Sequence, residues 1–135
     1  MQAVVEWQEK MHFVGKGENP VSVDLDAPPV VGGESNGFRP KELLLTGLAG
    51  CTGMDVLSIL RKMRHEPEAF RVEVSAEESE EHPKVFTAFH IRYIVRGEVP
   101  ADKLDKAINL SQERYCGVTS MYRHFAPVTH EVVRE

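Results

Sequence analysis

Between Leu43 and Leu60 the only charged residue is Asp55, so the segment from Lys41 to about Arg64 predicts a long helix that is apolar nearly all round. Pro40 favours a helix start, because its missing N–H has no intrahelical partner in the first turn. Arg61, Lys62 and Arg64 suit the negative end of the helix dipole. A helix without a polar face requires cover on every side. A domain of 135 residues rarely surrounds such a helix completely, so part of the cover is expected from a second subunit. Gly47, Gly50 and Gly53 each cost about 1 kcal/mol relative to Ala inside a helix. Gly47, Gly50, Cys51 and Met54 share one face at i, i+3, i+4 and i+7. That small face admits a closely approaching backbone, either within the subunit or at a dimer seam.

The length fits one domain, 1–135, with enough chain for a hydrophobic core. Sixteen Lys and Arg against twenty-one Asp and Glu give a net charge of −5, which argues against nucleic-acid or anionic-membrane partners. No apolar run approaches the roughly 20 residues that span a bilayer, and the N-terminus lacks the pattern of a signal peptide. A cytoplasmic location is expected. Phosphate-binding loops and dinucleotide fingerprints are absent, as are hydrolase elbows and tight Cys/His ligand spacings. Neither a cofactor nor a metal is expected. Thiol chemistry is what remains, or no chemistry at all.

Around the helix the chain reads as strands. Val4 to Phe13 is the first, followed by the turn residues Gly15 to Pro20, and Val21 to Asp26 alternates with period two. Ala27 to Pro40 forms a long loop. Phe70–Glu77 and Lys84–Arg96 alternate as two further strands. Pro100–Asp102 opens a helix through about Glu113, with Leu104, Ile108 and Leu110 turned inward. Tyr115 to Val118 interrupts it, Thr119 or Ser120 caps a short helix through His124, and Pro127–Val133 returns as a strand. The fold class is α+β, with antiparallel sheets around a buried central helix.

Cys51 lies within the long helix and Cys116 follows 65 residues later beside Gly117. Free cysteines commonly pack as small hydrophobes. Cys51 is beyond the terminal turn where a helix dipole lowers a thiol pKa. Asp55, one turn on, raises that pKa unless a cation offsets it. The residues by themselves leave both inert packing and reactivity open.

Gly37-Phe38-Arg39-Pro40-Lys41-Glu42-Leu43-Leu44-Leu45, with Leu48-Ala49-Gly50-Cys51-Thr52-Gly53-Met54-Asp55, resembles the central helix motif of the OsmC/Ohr family. Tyr115-Cys116-Gly117-Val118-Thr119-Ser120-Met121 resembles that family's second cysteine motif, and the order of elements matches over nearly the whole chain. The branch whose motif reads P-K-E-L-L-L is the nearest. The resemblance implies an intertwined homodimer with sites at the subunit interface. It also implies thiol-dependent reduction of organic hydroperoxides in oxidative stress, with a dithiol as reductant. Carried over, Cys51 is the peroxidatic cysteine and Cys116 the resolving one, joined through sulfenic acid to a disulfide. Phe38, Leu48, Met54, Tyr115 and Tyr122 are candidates for apolar walls that favour organic peroxides.

Departures accompany the match. In the family's peroxidases a glutamate directly follows the proline and orients an N-terminal arginine onto the thiolate. Here Lys41 follows Pro40, and Glu42 comes one position later, about 100° around the helix. Residues 1–38 contain no arginine. Lys16 is the nearest substitute and Arg39 a second cation, although a lysine lacks the planar fork that pairs with a carboxylate. Each also has an ordinary reading: Lys16 as a solvated turn residue, Glu42 as a first-turn charge, Arg39 as a loop cation. The alternative function is a non-enzymatic, stress-related or ligand-binding dimer on the same scaffold. Acyl or thioester chemistry at Cys51 is a distant third, because no histidine is placed by sequence as its base.

Overall fold

A computed structural model describes all 135 residues, which divide into two compact units, Met1–Leu44 and Leu45–Glu135. In the first unit, β1 (Val4–Glu9), β2 (His12–Lys16) and β3 (Ser22–Leu25) form an antiparallel meander in the order β1-β2-β3. The single strand expected over Val4–Phe13 is thus a hairpin, turning at Lys10 and Met11. The loop that follows is held from inside. The buried Asp26 carboxylate accepts from the backbone N–H groups of Ala27 (2.8 Å), Glu34 (3.2 Å) and Asn36 (3.1 Å). These donors, Asn36 first, hold its pKa below the usual carboxylate range. Gly33 and Gly37 run so close to the backbones of Ala27 and Asp24 that a Cβ at either position would collide with main-chain atoms.

Helix α1 (Pro40–Lys62) starts where the proline predicts. Glu42, at its third position, accepts from the Arg39 backbone N–H at 3.4 Å. That is the reciprocal half of a capping box.

The second unit contains β4 (Ala69–Glu78), β5 (Phe86–Arg96) and β6 (Val128–Arg134), in the order β4-β5-β6. β4 pairs antiparallel with β5. β6 pairs parallel with β5, one departure from the antiparallel sheets expected. The chain returns through α2 (Ala101–Leu110) and α3 (Gly117–Arg123) before β6 begins, and such a crossover delivers the strand in the same direction. Alternate residues of β5, namely Phe89, Ile91, Tyr93 and Val95, are almost fully buried. They share the core with Leu48, Val56 and Leu60 of α1 and with Leu104, Ala107 and Ile108 of α2.

In this chain α1 is covered along one stripe only. Leu48, Thr52, Val56 and Leu60, spaced by four, are fully buried, whereas Leu44 is 47% and Met54 75% exposed. Gly53 packs on Val72, but a Cβ at Gly47 or Gly50 would meet nothing within 4 Å. Close packing within the chain therefore accounts for one of the three glycines. By length and composition α1 could also cross a membrane, with 22% of the relevant window buried. Counting contiguous apolar residues misses this property, because Gly, Thr and Ser break the run while adding little polarity.

Leu60→Ala, at a fully buried site, is expected to lower the unfolding free energy by about 2–5 kcal/mol in urea denaturation. Val30→Ala, at a position 88% exposed, is expected to change it by less than about 0.5 kcal/mol.

Candidate active site

Cys51 and Asp55 stand one turn apart on α1, on a common face. Cys116 comes to them from the segment between α2 and α3. The two sulfurs and a carboxylate oxygen of Asp55 all lie within 4.8 Å of one another. Cys51 is partly exposed and Cys116 is 3% exposed. Both thiols are free.

A π turn over Ser111–Tyr115 delivers Cys116. The Cys116 N–H donates to the Ser111 carbonyl at 2.9 Å, five residues back. The widened turn carries two buried polar side chains, Ser111 and Gln112. The sequence pattern predicts a plain helix through Glu113 here, and a cap at Thr119 or Ser120 for the next helix. Instead α3 begins at Gly117, and the Cys116 sulfur is its cap, accepting from the Thr119 N–H at 3.4 Å.

Four buried polar side chains connect this cluster to an arginine. Ser111 donates its hydroxyl to Asp55 Oδ2 at 3.0 Å, since a carboxylate only accepts. That proton being used, Thr52 must donate to Ser111 Oγ at 2.8 Å, and Tyr93 must in turn donate to Thr52 Oγ1 at 2.6 Å. The Tyr93 oxygen accepts from Gln112 Nε2 at 2.6 Å. Gln112 accepts from Arg123 through its side-chain oxygen at 3.1 Å and its backbone carbonyl at 2.6 Å. Every bond points the same way, from the guanidinium of Arg123 to the carboxylate of Asp55. Burial holds the Tyr93 phenol above its ordinary pKa, which keeps it a donor.

Burial also pushes the Cys116 thiol above its ordinary range. Thr119 opposes this and the Cys51 thiol adds to it. The Thr119 N–H makes the measurable bond, because its fully buried hydroxyl has no hydrogen-bond partner. Beside Cys116 opens a cleft of about 460 Å³, with Glu113, Arg114, Tyr115, Arg123 and His124 on its walls. Arg114 lies over the Tyr115 ring, 5.5 Å from its centroid.

The remaining candidates fall in both units. Lys16 is exposed and pairs with Glu6 at 3.6 Å. Phe38 is 41% exposed and bridges Leu25 along the backbone. Arg39 and Glu42 meet at the start of α1. All four belong to the first unit. Of the apolar wall candidates only Tyr115 lines the cleft. Leu48 is sealed in the core, Tyr122 stacks on Phe89 at 4.9 Å, and Met54 faces outward. The cleft in this chain is polar, lined by the π turn and α3.

The raised Cys116 pKa fixes a sign for stability. The unfolded chain ionises this thiol near pH 8.5 while the folded chain keeps its proton, so unfolding releases a proton there. Stability is expected to fall as pH rises above about 8.5, and Cys116→Ser is expected to flatten that dependence in denaturant titrations from pH 7 to 10.

The model of a protein family described as OsmC-like protein matches residues 32–131. Protein YhfA of Escherichia coli strain K12 is 32% identical over 131 residues, covering 96% of this chain and 95% of that protein. A hypothetical protein from Aquifex aeolicus VF5 superposes with a TM-score of 0.82 at 29% identity, covering 99% of this chain and 96% of that one. An organic hydroperoxide resistance protein OsmC from Legionella pneumophila superposes with a TM-score of 0.71 at 16% identity, covering 98% and 95%. At that identity the likeness is one of fold. The α+β architecture and the span of the match agree: this chain belongs to the OsmC-like protein family.

Proposed function

We propose that the protein is a thiol-dependent reductase of organic hydroperoxides that works through Cys51 and Cys116. The observation that carries this reading is the approach of the two sulfurs to within 4.8 Å across 65 residues of chain, one sulfur partly open and the other buried. The name of the Legionella pneumophila neighbour points the same way. Cys51 sulfur takes the terminal oxygen of the hydroperoxide, the O–O bond breaks and the alcohol leaves, giving a sulfenic acid. The Cys116 sulfur then displaces water from that sulfenic acid to form the disulfide. A dithiol returns two electrons and two protons by exchange.

The thiol proton needs an acceptor. Asp55, oriented by Ser111 and one turn from Cys51, is that acceptor in this reading, and it passes the proton to the departing alkoxide. Glu42, Lys16, Arg39, Phe38, Met54 and Tyr115 remain proposed contributors to activation and substrate contact. The second reading, a dimer that binds without turnover, is favoured by two engagements: Lys16 with Glu6, and Glu42 with the Arg39 N–H.

A homodimer forms part of the proposal. All six residues of β1 are exposed, including Val4, Val5 and Trp7, and so are Met54, Met121 and Phe125. Apolar exposure on this scale marks an interaction surface. Gly47 and Gly50 face open space in the single chain, where a second backbone fits.

Consumption of cumene hydroperoxide with a dithiol separates the readings. Cys51→Ser is expected to abolish it, and equal rates for this variant and the wild type would remove the reductase. Cys116→Ser is expected to complete one turnover and accumulate sulfenic acid, trapped by dimedone. Asp55→Asn is expected to slow the first step by about 10²–10⁴-fold. Light scattering is expected to give twice the chain mass for the wild type and a monomer for Gly47→Leu.

A further inference from the structure

We propose that Cys51, Asp55 and Cys116 form a binding site for a thiophilic divalent cation of the zinc class, with three protein ligands and one open position. Two sulfurs and one carboxylate oxygen lie within 4.8 Å of one another. Tetrahedral coordination with Zn–S bonds of about 2.3 Å puts ligand atoms roughly 3.7 Å apart, so small side-chain rotations close the triangle on the ion. The donor set is soft enough to prefer zinc over magnesium or calcium, which take oxygen ligands.

The surroundings are those of ligands already aimed. Ser111 holds one oxygen of Asp55 by its hydroxyl, and the Thr119 N–H donates to the Cys116 sulfur. Outer contacts of this kind orient metal ligands and stabilise thiolates. The Thr119 hydroxyl, on the residue whose N–H donates to the Cys116 sulfur, is fully buried and lacks a partner.

Metal and disulfide compete for the same sulfurs. Diamide takes two electrons from the two thiolates and two protons from water, becoming the hydrazine. The sulfurs join and the cation is released. This site shares two residues with the proposed reductase but does not rest on peroxide turnover. Metal capture is read on the reduced chain without peroxide, so either reading can fail alone.

The test is titration of the reduced, metal-free protein with Zn²⁺ against a chromophoric chelator, and with Co²⁺ as a spectroscopic probe. One Zn²⁺ per chain is expected, released on addition of diamide. Cys51→Ser and Cys116→Ser are each expected to weaken binding at least about 100-fold, and Asp55→Asn about 10-fold or more. Co²⁺ is expected to show the intense visible bands of a tetrahedral site, with thiolate charge transfer roughly halved in each cysteine variant. Glu113→Gln, on the cleft wall, should bind as the wild type does, and circular dichroism checks that each variant is folded. Binding that persists with both cysteines replaced, or weak octahedral cobalt bands, overturns the proposal. So does a loss in Glu113→Gln equal to that in Asp55→Asn.

Discussion

A line of hydrogen bonds with a single direction holds the second unit to its chemistry. Arg123 begins it and Asp55 ends it, and Gln112, Tyr93, Thr52 and Ser111 each accept from one neighbour and donate to the next. All four intermediate side chains are out of water, where a polar group left unpaired costs about 1–3 kcal/mol. Gln112 also donates directly to Thr52 at 3.3 Å, so the line is braced where it passes Tyr93. Because it draws on α1, β5, the π turn and α3, it also fixes where those elements lie relative to one another. The position of Asp55 beside the two sulfurs is one result, and the approach of Cys116 is another.

This dependence explains why a helix dominated by apolar residues tolerates a carboxylate near its middle. Asp55 has the Ser111 hydroxyl as a donor and stays half-buried instead of sealed. The carboxylate is thereby anchored next to both sulfurs.

Much of the scaffold was legible from the residues. Pro40 and the terminal cations mark α1, period-two alternation marks β3, β4 and β5, and the two cysteine motifs identify the family. Three features were not. The parallel pairing of β6 depends on the direction in which a crossover returns, which local pattern does not encode. The π turn leaves no compositional trace. The proximity of the two sulfurs follows from tertiary structure, so the spacing of metal ligands along the chain could not reveal the cluster. The hydrogen-bonded line does leave a trace in the sequence. Thr52 falls on the stripe Leu48, Val56, Leu60, and Ser111 falls seven residues after Leu104 on the inward face of α2. A hydroxyl on an otherwise apolar stripe announces a buried partner.

The π turn between Gln112 and Cys116 makes residue number, as well as residue type, a determinant of chemistry. Removing one position from Ser111–Tyr115 would let an ordinary helical turn close there, rotating everything after it by about 100°. Cys116 would leave its place opposite Cys51, and Arg123 its place at the head of the hydrogen-bonded line. A deletion in this segment would thus part the two sulfurs as surely as a substitution removes one.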